Sequence, residues 1–285
     1  MAREPDFIGI GFRRCASSWL HACLSDHPEI GKPPRGLHFF SREDEYRKGT
    51  AWYEAQLARY SAYPVVGEMS VSYSYPELAR MVAERLQEHY PRAKLLCTVR
   101  NPILRAFSDY RRSVATGELD RRVGFGEALR VDPALVTRGF YSRILRPFRD
   151  RFADRLCVLV YDDLERAPLT FVQSAYRFLG VRSDYVPHMA FEARGHAARP
   201  RSQLVARTAM RVQLRVSRAL RGVGLGWFLE ILKKTHLRDA VFRLNAAPGG
   251  EVCEQQWDLL ADCYREDVEE LGQFLRRDLT AWLTM

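Results

Sequence analysis

The stretch FIGIGFRRCASSWLHACLSDHP, from Phe7 to Pro28, is the most informative part of the chain. It opens with a short apolar run that ends at Gly9 and Gly11, continues through two arginines and small residues, and becomes amphipathic from Trp19. This order is typical of a strand, a tight loop and a helix. Such a loop directs backbone N–H groups and hydroxyls at one point beside a helix N-terminus, where an anion is stabilised. The stretch therefore predicts a phosphate or sulfate site, and an ordinary βα turn is the alternative.

The loop is close to a P-loop but does not match one. From Gly11 the sequence reads GFRRCASS, so Ala16 stands where a Walker A motif has its second glycine, and no lysine precedes the hydroxyls. A nucleotide kinase also needs an acidic residue after a second strand to hold Mg²⁺. The best second strand, Lys94 to Val99, runs instead into Arg100. This pattern predicts a polyanionic ligand held by arginines and hydroxyls without a metal.

Composition limits the class of protein. The 285 residues, 47% of them hydrophobic, suffice for one large core. The formal net charge of +9 suits an anionic ligand, nucleic acid or an anionic membrane, but no DNA- or RNA-binding motif accompanies it. We therefore expect no nucleic-acid partner. Because the N-terminus has no apolar signal region and no run reaches membrane-spanning length, we expect a soluble cytoplasmic protein.

Apolar strand-like runs alternate with helical patterns along the first two thirds of the chain. The predicted strands are Phe7–Gly11, Val65–Met69, Lys94–Val99 and Leu156–Tyr161. This alternation indicates an α/β fold, a P-loop-like parallel sheet with helices on both faces and ligands at the carboxyl ends of the strands. We expect a single domain with a core at about 5–190, a basic helical C-terminal cap at about 194–250 and a helix at about 251–285.

The cap contains a basic amphipathic segment, GVGLGWFLEILKK, at residues 222–234. Contact with a membrane surface or a lipid-like substrate is one interpretation. Packing of its apolar face on the core is the other. The oligomeric state is left open.

A second stretch, LLCTVRNPILRAFSDYRR from Leu95 to Arg112, places Arg100 at a strand end and Ser108 two turns into the next helix. A strand-end arginine and a helix serine can hold one phosphate from two sides. A surface ion pair is the alternative for Arg100.

Together the two stretches resemble the PAPS-dependent sulfotransferases, with the heparan-sulfate type and bacterial members nearest. Two intervening segments, LHFFSREDEYRKGTAWY and GEMSVSY, also resemble family segments, so the resemblance covers residues 7–180. It implies an enzyme that moves a sulfuryl group from PAPS (3′-phosphoadenosine 5′-phosphosulfate) to a hydroxyl of a small-molecule, sugar or lipid-like acceptor and releases PAP, without a metal. The alternatives are a P-loop-like nucleotide kinase and a non-catalytic polyanion-binding protein of the same fold.

The resemblance also implies the binding residues. The first loop would bind the 5′-phosphosulfate, and Arg100 with Ser108 the 3′-phosphate. Arg199 and Arg201 lie where the family places a loop that closes over the donor, but the local pattern is poor and favours the alternative, solvated surface charge. The first-loop residues are Arg13, Arg14, Cys15, Ala16, Ser17, Ser18 and Trp19.

Three positions depart from the family pattern. Arg14 stands where the family loop usually has lysine, Gly36 where the heparan-sulfate enzymes have their catalytic glutamate, and Met69 where a lysine follows glutamate. Arg14 can still stabilise the leaving oxygen. Two residues can replace the base. His38 matches a family histidine beside the acceptor, and Glu68 is predicted to face the same cleft from a strand's carboxyl end.

Overall fold

Four parallel strands form the central sheet. The computed structural model describes residues 3–31, 35–188 and 251–285 and the backbone of 199–200 and 246–247. Its sheet has the strand order β2-β1-β3-β4. The strands are β1 Phe7–Gly9, β2 Gly67–Met69, β3 Lys94–Val99 and β4 Leu156–Val160. Ile8 of β1 is paired with Glu68 on one side and with Leu95 on the other. The parallel sheet predicted from the sequence is confirmed.

Helices connect and follow these strands. Their bounds are α1 Ser17–Asp26, α2 Glu43–Tyr46, α3 Gly49–Ala58, α4 Ala79–His89, α5 Pro102–Thr116, α6 Phe125–Val131, α7 Ala134–Thr137, α8 Tyr141–Phe152, α9 Tyr161–Arg166, α10 Pro168–Leu179 and α11 Glu254–Leu275. Short 3₁₀ turns lie at Val71–Ser74, Ala153–Arg155 and Thr280–Trp282, and β5 Arg199–Pro200 pairs with β6 Ala246–Ala247. The sequence predicts that α4 begins at Pro76, but a turn over Pro76–Leu78 comes first.

The strands are buried on both faces of the sheet. Phe7, Leu96 and Leu159 lie in one cluster with apolar residues of α1 and α10. Ile8 and Leu95, which alternate with them, are equally buried, because successive side chains point to opposite faces of a sheet. Burial on both faces explains why these strands are continuous apolar runs in the sequence.

The chain divides into two compact units. One comprises Met1–Arg105, Val136–Arg194 and Asp258–Met285 and contains the whole four-stranded sheet. The other comprises Ala106–Leu135 and Gly195–Trp257. The single domain with the boundaries given above stays a prediction, and nearly all of its basic cap, including residues 222–234, lies outside the described residues. Among the helices that the structure describes, none is both long enough and apolar enough to cross a membrane.

The C-terminal helix α11 packs against the start of α8. Asp267 accepts hydrogen bonds from the backbone N–H groups of Ser142 and Arg143, each at 3.0 Å. A carboxylate from another helix thus caps the first turn of α8. Burial raises the pKa of Asp267 to about 6, against the effect of these two bonds.

Candidate active site

Left-handed backbone shapes the loop between β1 and α1. Gly11 has φ +107°, and a Cβ there would lie 2.2 Å from Oγ of Ser74, so only glycine fits. Arg14 and Ala16 have φ of 69° and 62°, a conformation that is uncommon for residues other than glycine. Backbone outliers of this kind cluster at ligand sites. This observation supports the predicted anion site in residues 10–16, which we call the anion loop.

The loop leads directly into the N-terminus of α1. Ala16 occupies the N-cap position, and its carbonyl accepts hydrogen bonds from the backbone N–H groups of Trp19 and Leu20, each at 3.0 Å. Its methyl side chain has no polar atom with which to cap the helix. The N–H groups of Ser17 and Ser18 have no carbonyl one turn earlier in the helix. These donors and the helix dipole favour an anion at this point.

The structure separates the loop residues by where their side chains point. Cys15 is buried, and its Sγ lies 3.5 Å from the hydroxyl of Tyr141. Trp19 packs in the core against Phe171, with ring centroids 6.1 Å apart. Any contribution of these two residues to an anion site therefore comes from the main chain. Tyr141 itself lies in the core.

Ser17 is also buried, whereas the other polar side chains of the loop are accessible. Arg13 and Arg14 are half-buried, and Ser18 is exposed. They are therefore the loop side chains that can reach a bound anion.

Arg100 follows β3 at the same edge of the sheet as the anion loop, because β1 and β3 are parallel neighbours. Its guanidinium lies over the ring of Tyr161, 4.4 Å from the centroid, so the aromatic face orients it. Its Nε is buried and has no hydrogen-bond partner among the described residues. A buried donor without an acceptor costs free energy, and a bound anion would supply the acceptor.

Asn101 holds the turn after Arg100 in place. Its Oδ1 accepts hydrogen bonds from the backbone N–H groups of Ile103 at 2.9 Å and Leu104 at 3.2 Å, and so caps α5. Its Nδ2 donates to the carbonyl of Trp282 at 3.0 Å. The C-terminal 3₁₀ turn therefore supports the strand end that carries Arg100. The Asn-Pro pair marks the cap in the sequence, but nothing in the sequence marks the bond to Trp282.

The described structure does not test the roles of the other predicted donor-binding residues. Ser108 is a half-buried residue of α5 and belongs to the unit of Ala106–Leu135. Arg199 is described only as backbone of β5, and Arg201 lies outside the described residues. Their roles stay predictions.

The segment from Arg35 to His38 lies beside the carboxyl end of β2. Arg35 forms a parallel bridge with Met69, and the backbone N–H of Gly36 donates to the carbonyl of Met69 at 2.9 Å. Arg35 also donates to Oγ of Ser18 on α1 at 2.5 Å. This bond links the segment to the anion loop. Arg35 is not among the residues predicted from the sequence, where its only signal is a basic residue close to the family-like His-Phe-Phe.

His38 is half-buried and held by hydroxyl groups. Its φ is 55°, its backbone N–H donates to Oγ of Ser70 at 2.9 Å, and its Nδ1 lies 2.6 Å from Oγ of Ser72. Burial and the positive charge of Arg42 lower the pKa of His38, and Glu45 raises it by less. The imidazole is therefore neutral at neutral pH, which is the state that a general base needs.

Glu68 is an interior residue, contrary to the sequence prediction that it faces the cleft. The side chain is 0% exposed, because the middle residue of the short strand β2 points into the protein. Oε2 accepts a hydrogen bond from Oγ of Ser70 at 2.9 Å, and Oε1 has no partner among the described residues. Burial raises the pKa of Glu68 to about 7, against the effect of hydrogen bonds from Tyr73 and Ser70. Its catalytic role stays a prediction.

The raised pKa of Glu68 predicts a pH-dependent stability. Between 4.5 and about 7 the folded protein keeps a proton that the unfolded chain releases, so the free energy of unfolding falls as the pH rises through this window. Glu68→Gln removes this dependence. In urea unfolding, the free energy of unfolding of Glu68→Gln relative to that of the wild type should increase by about 2–3 kcal/mol from pH 5 to pH 8. The exposed Glu88→Gln is the control. Parallel pH profiles for wild type and Glu68→Gln would show that the carboxyl is ionised throughout.

A cavity of about 560 Å³ lies at the opposite edge of the sheet, where the strands begin. Its lining includes Asp6 before β1 and Lys94 at the start of β3. The ammonium group of Lys94 donates to the carbonyl of Phe178 at 2.8 Å. Since ligands of parallel α/β sheets bind at the carboxyl ends of the strands, we place the candidate active site at the edge with Arg14, Arg100 and His38 and not at this cavity.

Comparison with known proteins finds similarity to sulfotransferases. Residues 76–185 match the model of the sulfotransferase family. Heparan sulfate glucosamine 3-O-sulfotransferase 5 of Mus musculus and of Homo sapiens is 28% identical over 188 residues, which cover 62% of this chain and 54% of the relative. Heparan sulfate glucosamine 3-O-sulfotransferase 6 of Homo sapiens is 30% identical over 113 residues, 40% of this chain and 32% of the relative. The chain thus spans about half of the first relative and a third of the second.

A solved structure shares the fold. The sulfotransferase from Alicyclobacillus acidocaldarius is 22% identical, with a TM-score of 0.64 over 98% of this chain and 98% of its own. The resemblance to the PAPS-dependent sulfotransferases that the sequence carries is therefore confirmed, and so is the P-loop-like α/β fold.

Proposed function

We propose that the protein is a sulfotransferase that moves a sulfuryl group from PAPS to an acceptor hydroxyl and releases PAP. One observation carries the proposal. The left-handed anion loop with Arg14 follows β1 and Arg100 follows the neighbouring β3. The neutral His38 lies beside the carboxyl end of β2, the other neighbour of β1. Cations and N–H donors beside a base are the groups that such a transfer needs.

The geometry supports the following division of work. A bond forms between the acceptor oxygen and sulfur while the bond between sulfur and the 5′-phosphate oxygen breaks. Negative charge grows on the leaving phosphate, where Arg14 and the N–H groups of Ser17 and Ser18 stabilise it. The acceptor proton passes to His38, and Glu68 is the alternative base. The guanidinium of Arg14 is a permanent cation and does not release a proton readily, so it acts by charge alone.

The two alternatives have less support. A nucleotide kinase needs a lysine before the loop hydroxyls and an acid to hold Mg²⁺, whereas this chain has GFRRCASS and Arg100 at these places. A non-catalytic polyanion-binding protein of the same fold would need the anion loop but not the neutral, hydroxyl-held His38. The sulfotransferase hypothesis gives a role to both the anion loop and His38.

The proposed acceptor is a hydroxyl of a small molecule, a sugar or a lipid-like compound. The relatives named above act, by their names, on heparan sulfate glucosamine. Gly36 and Met69 replace a glutamate and a lysine of that type of enzyme, which favours a different acceptor for this chain. The bacterial source, the cytoplasmic location and a membrane contact through residues 222–234 stay predictions.

Ligand binding without metal tests the donor. PAP in EDTA should raise the Tm clearly, and ATP with Mg²⁺ should raise it much less, because strand-end arginines and hydroxyls hold phosphates without a metal. The reverse ranking would contradict the proposal.

Arg100→Ala should weaken PAP binding by about 2–4 kcal/mol, since it leaves the 3′-phosphate unpaired. Adenosine 5′-phosphosulfate, which lacks that phosphate, should be indifferent to the change. Arg92→Ala, at the opposite edge, is the control, and equal losses for both ligands would place Arg100 elsewhere.

A further inference from the structure

The hydroxyl groups around His38 have a defined hydrogen-bond direction. Oγ of Ser41 donates to the carbonyl of His38 at 3.1 Å. A serine hydroxyl carries one hydrogen, so Ser41 has none left for its second contact, 2.6 Å from Oγ of Ser72. Ser72 is therefore the donor in that contact.

The direction of this bond fixes the proton on the imidazole ring. The single hydrogen of Ser72 is directed at Ser41, so Oγ of Ser72 can only accept in its contact with Nδ1 of His38, at 2.6 Å. Nδ1 is then the protonated nitrogen of the neutral ring. Nε2 is left with its lone pair and is the basic nitrogen.

Gly36 keeps the space beside Nε2 open. Its φ is +77°, a conformation that favours glycine, and a Cβ at this position would lie 3.2 Å from Nε2 of His38. This distance leaves no room for an acceptor oxygen between the two. A longer side chain at position 36 would cover the basic nitrogen.

We infer that Ser41 and Ser72 are positioning residues that hold His38 as the Nδ1–H tautomer, and that Gly36 is a specificity-determining residue that leaves Nε2 open to the acceptor hydroxyl. The role of the acceptor rests on the proposed function, whereas the tautomer does not. In the transfer, the acceptor O–H proton moves to Nε2, and the electron pair of that bond stays on oxygen and forms the bond to sulfur. The resulting imidazolium keeps its Nδ1–H bond to Ser72.

Nuclear magnetic resonance of the labelled imidazole rings at pH 8 tests the tautomer directly, with His38→Gln to assign the signal. Wild type should show Nδ1–H, and Ser72→Ala should convert His38 largely to Nε2–H. In the same variant kcat should fall about tenfold or more, because the wrong tautomer disables the base, while the affinity for PAP changes by less than about twofold. Ser72→Thr keeps a hydroxyl at this position and should therefore retain both the Nδ1–H tautomer of His38 and the kcat of the wild type.

Two further variants keep the inference testable if Ser72→Ala does not fold. Ser41→Ala removes the acceptor of the Ser72 hydroxyl, which can then either donate to His38 or accept from it, so this variant should give a mixture of tautomers. Gly36→Ala should leave the tautomer unchanged, lower kcat/KM for the acceptor about tenfold by covering Nε2, and keep PAP affinity. Ser142→Ala, a buried serine of α8 bonded to Glu270, is the control for loss of a buried hydroxyl.

The outcomes separate this inference from the proposed function. Nε2–H in the wild type, Nδ1–H retained in Ser72→Ala, or normal kcat in Ser72→Ala despite the changed tautomer would each overturn it. A wild type that binds PAP and shows Nδ1–H but transfers no sulfuryl group to any hydroxyl overturns the proposed function and Gly36's role in specificity. The serine-held tautomer would stand.

Discussion

Replacing His38 with alanine should lower kcat by about 10²–10⁴-fold, the usual worth of a general base. The histidine lies beside the carboxyl end of β2, with Nδ1 bonded to Ser72. Its pKa is lowered by burial and by Arg42, and Glu45 offsets only part of this. A base works only when it is unprotonated, so kcat/KM in the wild type should fall as the pH drops through a pKa below the ordinary value of 6.5.

The control for His38→Ala is His89→Ala. His89 is also half-buried and bonded to a hydroxyl, that of Tyr46 at 2.7 Å, but it lines the cavity at the other edge of the sheet. It should keep full activity and the same pH profile. If His38→Ala stays active with its profile unchanged, the base is Glu68, and Glu68→Gln should then abolish turnover. Full activity in both variants would show that the assignment of the cleft is wrong.

Replacing Arg14 with alanine should lower kcat by about a hundredfold or more, while PAPS binding falls much less. The reason is that this negative charge on the leaving phosphate oxygen is absent from bound PAPS and grows as the transition state is reached. Arg14→Lys keeps a cation, as the family loop usually does, and should recover a large part of kcat. The measurement is a pre-steady-state rate beside an independent dissociation constant. A large loss of PAPS affinity with unchanged kcat would make Arg14 a binding residue only.

The sheet and the edge that carries the site could be predicted from the sequence. A parallel strand buried on both faces is an apolar run, so β3 and β4 stand out, and Pro102 and Pro168 mark helix starts at positions where proline is favoured. Once the strands are parallel, their carboxyl ends coincide. The position of Arg14 and Arg100 at one edge follows from topology alone.

Side-chain directions and long-range bonds could not be predicted. Cys15 and Trp19 belong to the anion loop by sequence, yet both side chains are buried in the core. The left-handed backbone of Arg14 and Ala16, on either side of Cys15, changes the direction of the chain there. Glu68 looks like a cleft residue, but the two-residue repeat of a strand does not say which face is covered. The bond from Asn101 to Trp282 joins residues 181 positions apart. No local pattern encodes such a contact.

The most direct test of the account follows the sulfur atom. Wild-type protein is incubated in EDTA with PAPS labelled with ³⁵S and a panel of small-molecule, sugar and lipid-like alcohols, with Arg14→Ala and His89→Ala in parallel. We expect that label moves to the oxygen of at least one alcohol, that PAP forms in equal amount, and that Arg14→Ala alone of the two variants loses the transfer. Label that stays on PAPS with every alcohol, in a protein that binds PAP, would contradict the assignment of a sulfotransferase and leave a polyanion-binding protein.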